Sequence, residues 1–203
     1  MKLDIELPNR VPVMTLPEVV FFPKVMMPLF IFEPRYRSML KTSLEGNRMF
    51  AVAGINASQV GTVLDREPAY EVATIGFIRG CRTLEDGTSH LILQGLSRIH
   101  MDQIYEDKTY REAAITPLVS KREVDRLDLM ELQDELLVLV KKLAETNPNA
   151  PGDLLQFLNE MDEAEDFVDL VAYTFVEDVA HKQKVLETLR IEKRCDLLIE
   201  EMS

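Results

Sequence analysis

At 203 residues, 46% of them hydrophobic and 29% charged, the chain is long enough for one large domain or two small ones around a real core. Its longest apolar runs are about five residues, as at Leu136–Val140, against roughly 20 for a membrane span, and its acidic start, Asp4-Ile5-Glu6, lacks the basic and apolar regions of a signal peptide, so a cytoplasmic protein is expected. The net charge of −12 is uneven: residues 1–120 hold 13 basic and 14 acidic side chains (net −1), residues 121–203 hold 10 and 21 (net −11), which marks a break near residue 120 and argues against broad nucleic-acid binding.

Residues 1–120 read mostly as strands. Val11–Leu16 is a short apolar stretch bounded by prolines, and Met26–Phe32 is another, demoted by Pro28 to an edge or bulged strand. Pro34 suits the first turn of a helix over about 34–45. Tyr36, Met39, Leu40 and Leu44 give that helix one face, and Gly46 stops it. Met49–Ile55 and Val60–Leu64 look like buried strands. Tyr70–Leu84 and Leu91–Met101 flank Asp86-Gly87, a hairpin turn signal. Leu91, Leu93, Ile99 and Met101 share one face by period-two counting. Gly95 lies on the same side, which suggests a bulge or a close backbone approach. Six or so short strands and one helix predict a strongly bent or barrel-like β subdomain.

After Ser120 the period changes. Leu129, Leu132, Leu136, Leu139 and Leu143 make one helical stripe, Ala164, Val168, Val171 and Phe175 a second, and Ile191, Cys195, Leu198 and Met202 a third. Asn147–Gly152 breaks the first helix, and Asp153 with Gln156 resembles a cap for the next. The fold class is therefore α+β: a bent sheet or pseudo-barrel over 1–120, then an acidic bundle of four or five helices over 121–203.

Five blocks resemble one known family. Val11–Pro23, with its Phe21-Phe22-Pro23 turn, is similar to the opening of the Lon protease N-terminal (substrate-binding) domain. Pro28–Arg37 resembles the next block, and its Phe-Glu-Pro-Arg-Tyr form is closest to stand-alone Lon-domain proteins. Val60–Val63, then Asp86-Gly87 with Gln94–Ile99, and finally Lys182–Glu187 with Arg194 match the remaining blocks in order. The resemblance covers about residues 10–202. It implies a PUA-like fold and a role in engaging unfolded polypeptides. It does not reach the ATPase or protease: no Gly-Lys pair exists to form a phosphate loop, and no length is left for a Ser-Lys domain. A binding module without enzymatic activity or cofactor is expected, acting as an adaptor or modulator of proteolysis.

The candidate peptide-binding residues are Phe21, Phe22, Met26, Met27, Phe30 and Phe32, a soft aromatic set suited either to a core or to a promiscuous groove. Such a groove is expected on the β half or where it meets the helices. Arg35, Arg37, Arg79, Arg82 and Arg98 support the alternative, an RNA- or nucleotide-binding PUA-like module. No metal site is expected from the scattered His90, His100 and His181, nor a disulfide from Cys81 and Cys195. Asp162, Glu163, Glu165, Asp166 and Asp169 read as a solvated helix face, and His181 beside Asp178 as a surface histidine.

Overall fold

The computed structural model describes residues 6–59, 67–146 and 154–203. The expected strand Val60–Leu64 and the expected cap at Asp153 lie outside them. The chain divides into two compact units, Met1–Leu118 and Val119–Ser203.

The first unit contains β1 (Arg10–Leu16), β2 (Met26–Ile31), α1 (Pro34–Glu45), β3 (Met49–Gly54), β4 (Val72–Thr83), β5 (Ser89–Tyr105) and β6 (Arg111–Pro117). The sheet order is β2-β5-β4-β3-β1-β6, and β5 also pairs with β6. Strands β5, β4, β3, β1 and β6 thus form a closed ring, the barrel-like arrangement expected. Its pairs are antiparallel except β1 with β3. One edge of the 17-residue β5 lies along β4, and its other edge serves two strands in turn: Ser89–Gln94 pairs with β2, while Ile99–Tyr105 pairs with β6. Strand β2 is therefore an appendage outside the ring. Val11, Val13, Ala51, Ala53, Ile75 and Ile99 are among the residues that fill the interior.

Strand β6 was not distinguishable in the sequence. Its two alanines carry little strand propensity, and its alternation is weak. Helix α1 begins at Pro34 and ends where the Gly46 N–H donates to the Thr42 and Ser43 carbonyls. Its buried Tyr36 hydroxyl donates to the Thr15 carbonyl at 2.9 Å and accepts from the Thr15 N–H at 3.1 Å. Tyr36→Phe leaves that buried N–H without its acceptor and is expected to cost about 1–3 kcal/mol, readable by urea unfolding.

The second unit contains α2 (Arg126–Thr146), α3 (Leu154–Asn159), α4 (Ala164–Phe175), α5 (Val179–Glu187) and α6 (Ile191–Met202). The stripes predicted from the sequence supply its core: Leu129 and Leu136, Val168 and Val171, Cys195 and Leu198 are all buried. Burial pushes the Cys195 thiol up to about 12, leaving it inert at neutral pH. Asp169 corrects the expectation of a solvated acidic face. It is buried against the equally buried Arg194, Nη1 to Oδ1 3.3 Å, while its neighbours Asp162 and Glu163 are exposed. Among the described residues no helix is long and apolar enough to cross a membrane.

Candidate functional site

The six candidate residues separate by where the chain runs. Phe21 and Phe22 are buried, because the segment carrying them crosses β5 at Gly95. The Lys24 N–H donates to the Gly95 carbonyl and the Gly95 N–H to the Val25 carbonyl, both at 2.9 Å. Thr74 Oγ1 donates to the Phe21 carbonyl at 2.6 Å. Met27 is also buried, since its side chain leaves β2 on the core side. These three are core and not surface residues, which corrects the expectation placed on them. Met26, Phe30 and Phe32 are 49%, 49% and 58% exposed, and Ile92 on β5 is 38% exposed.

The exposed residues share one face because of register. Strand β2 pairs with β5 as Met26↔Gln94, Pro28↔Ile92 and Phe30↔His90, and β4 adds Gly80 beside Ile92 and Arg82 beside His90. The bond from Gly95 N–H to Val25 O makes Met26/Gln94 a non-hydrogen-bonded pair, and alternation makes Pro28/Ile92 and Phe30/His90 the same. Side chains lie closest in such pairs. The Phe30 ring stacks on His90 at 4.7 Å between centroids and on Phe32 at 5.8 Å. Pro28, lacking an N–H, faces the free edge of β2 and blunts it against strand addition. Contact with this face is therefore through side chains.

Gly80 gives the face its relief. A Cβ built there meets no atom within 4 Å, so a trough opens between Pro28, Phe30, Arg82, His90 and Ile92, enclosing about 570 Å³. Most of its lining is apolar, with Phe30, His90 and Arg82 among the residues around it. Sequence reasoning missed Ile92 and Gly80. The pairing of Ile92 with a strand distant in sequence is what brings them beside Phe30 and Pro28.

A second cavity of about 360 Å³ is lined by Thr15, Arg35, Tyr36, Glu67, Lys108 and Arg111, among others. Its charged groups are already paired. Arg35 grips Glu67 with two bonds of 3.0 and 3.1 Å, and Thr15 Oγ1 donates to the same carboxylate at 2.8 Å. Lys108 binds Glu112 at 2.8 Å, and Arg111 binds Glu106 at 3.1 Å. The Arg35 guanidinium holds Glu67 below the usual carboxylate range. A lowered folded-state pKa means that the stabilisation is complete above the unfolded value and is lost as pH falls through the folded one. Glu67→Gln is accordingly expected to flatten the acid limb of stability, measured by thermal melts between about pH 3 and 6.

The five arginines of the alternative reading do not converge. Arg98 is buried with Phe22 6.0 Å from its guanidinium carbon, Arg35 is held by Glu33 and Glu67, and Arg37 lies over the hairpin turn at Gly87. Only Arg79 and Arg82 share a face. Asp178 caps α5 by accepting from the His181 N–H at 2.6 Å, so this pair serves the helix start. Among the described residues no three His, Cys, Asp or Glu are grouped to hold a metal.

The family model for the ATP-dependent protease La (LON) substrate-binding domain matches residues 10–203. The chain is 26% identical over 189 residues to a Lon protease of Desulfosudis oleivorans, covering 93% of this chain and 23% of that protein. It is 26% identical over 191 residues to a Lon protease of Dictyoglomus thermophilum, covering 93% and 24%. The chain thus spans about a quarter of the length of these relatives. Its fold matches the N-terminal domain of Mycobacterium avium complex Lon protease with a TM-score of 0.75 at 16% identity, over 95% of this chain and 97% of that one. A Lon N-terminal domain protein from Xanthomonas campestris matches with a TM-score of 0.70 at 18% identity, over 97% and 100%.

Proposed function

Because the chain belongs to the family of Lon substrate-binding domains, we propose that it binds polypeptide, taking exposed apolar segments of unfolded chains onto the outer face of β2, β5 and β4. One observation carries the reading. Met26, Phe30, Phe32 and Ile92 stand exposed on or beside a single sheet face, next to a hollow that Gly80 leaves open. Large apolar side chains gathered on a surface cost solubility, and a partner that covers them repays that cost. The trough is open to solvent and follows the rows of neighbouring strands, which suits an extended segment. Methionine and stacked aromatic rings adapt to varied side chains, which fits a site that must accept many sequences.

The module works by binding alone, without cofactor or bond-making chemistry, in the cytoplasm, as an adaptor or modulator of proteolysis. The His90 ring on this face is stacked on Phe30. The test compares one client protein in native and permanently unfolded forms. Unfolded client is expected to bind and native client not, with Phe30→Ser/Phe32→Ser weakening binding at least about tenfold, the usual scale for aromatic anchors. Equal binding of both forms, or no effect of the double variant, contradicts the reading.

A further inference from the structure

Most of the trough's lining is apolar, but cations bracket it. Arg79 reaches the row of Met26 and Gln94, where its Nε donates to Gln94 Oε1 and its guanidinium carbon lies 5.4 Å from the Phe77 ring centroid. Arg82 stands at the other end, in the row of Phe30 and His90. Lys24 lies just before β2, exposed, in the segment bonded to Gly95. Among the described residues none of these three cations is in a salt bridge. That sets them apart from Arg10, Arg35, Lys108, Arg111 and Arg190, which all hold carboxylates. The stretch that carries this face, residues 1–120, holds 14 acidic side chains against 13 basic ones, so carboxylates are not scarce there, and these cations are still left without one among the described residues.

We infer that the preferred occupant of this face is an extended apolar segment flanked by carboxylates, one pairing with Arg79 and one with Arg82. This inference rests on the polypeptide-binding reading above and deepens it. The two arginines serve the Gln94 and His90 rows, which are four residues apart on β5. At about 3.3 Å per residue those rows are separated by roughly 13 Å. An extended peptide therefore meets both with acids at positions i and i+4, and its residue i+2 falls over Gly80. Peptides with basic flanks are repelled at both ends, so the site distinguishes segments by the charge around them as well as by their apolar centre.

Fluorescence anisotropy with the 203-residue chain tests this. Three labelled peptides share one apolar centre with a phenylalanine at i+2, and they carry Asp, Asn or Lys at i and i+4. The Asp peptide is expected to bind about fivefold more tightly than the Asn peptide, the scale of two solvent-exposed ion pairs, and the Lys peptide more weakly than either. Raising the salt from about 0.05 to 0.5 M compresses that ranking, because these ion pairs are screened. Arg79→Gln/Arg82→Gln brings the ratio of Asp to Asn affinity close to one. Three equal affinities in the unmodified protein overturn this inference and leave the polypeptide-binding reading standing. Binding of none of the peptides overturns both. A salt-independent ranking, or one that survives the double variant, shows that the arginines do not set it.

Discussion

Arg194→Met is expected to destabilise the helical unit by about 3–5 kcal/mol. The Arg194 side chain is fully buried. Its Nη1 lies 3.3 Å from Asp169 and 3.4 Å from Glu165, its Nη2 donates to Ser120 and the Leu189 carbonyl, and its Nε donates to the Thr188 carbonyl at 2.5 Å. One guanidinium thus joins α4, α6, the α5–α6 connection and the segment leading into α2. Methionine keeps much of the volume and removes every donor, so the Asp169 carboxylate, itself 1% exposed, loses the charge opposite it. A buried charge without its partner is the costly outcome. Replacing both partners is far less costly, and Arg194→Met/Asp169→Leu is expected to recover most of the loss. Arg194→Lys does not recover it, because an ammonium cannot reproduce the planar fork that serves several acceptors. Urea unfolding of the single and double variants gives the coupling directly. A single variant as stable as the parent contradicts this account of the unit.

Gly95→Ala has the next largest expected effect, about 3 kcal/mol. A Cβ at this position lies 2.1 Å from the Phe22 carbonyl oxygen and 3.0 Å from the Pro23 Cα. Both are backbone atoms, so no side-chain rotation relieves the clash. The crossing segment must lift, and the bonds from Lys24 N–H to Gly95 O and from Gly95 N–H to Val25 O stretch with it. Those bonds hold the start of β2 against β5, so the apolar face is expected to loosen along with the fold. Gly80→Ala separates the two effects. Its Cβ enters open space, so stability holds, while the filled trough weakens polypeptide binding. Equal melting temperatures for Gly95→Ala and the parent contradict the crossing described here.

Periodicity marked most of the elements because each packs by one face. The hairpin at Asp86-Gly87, the stop at Gly46 and the helical stripes were legible, since each depends on neighbours in the chain. Even Gly95 was readable as a close approach, although not what approached it. The outer face was harder to read for a reason visible in β2. Both its parities are apolar, with Met26, Pro28 and Phe30 on one side and Met27, Leu29 and Ile31 on the other. Period-two counting groups such residues without saying which group meets the core. That is decided by β5, which comes some 60 residues later and carries β2 on the outside of the ring. Arg98 and Asp169 escaped for a related reason: charged residues are buried when a partner distant in sequence completes them, and local pattern does not record such partners.

The central claim is that unfolded polypeptide meets the face formed by β2, β5 and β4. Site-specific photocrosslinking tests it most directly. A photoreactive phenylalanine analogue is placed at Phe32 and, in a separate protein, at Phe157, which is equally exposed on α3 of the helical unit (58% and 57%). The account predicts adducts with an unfolded client from position 32 and few from position 157, suppressed by unlabelled unfolded client and not by its native form. Adducts from position 157 alone, or equal yields from the two positions, contradict it.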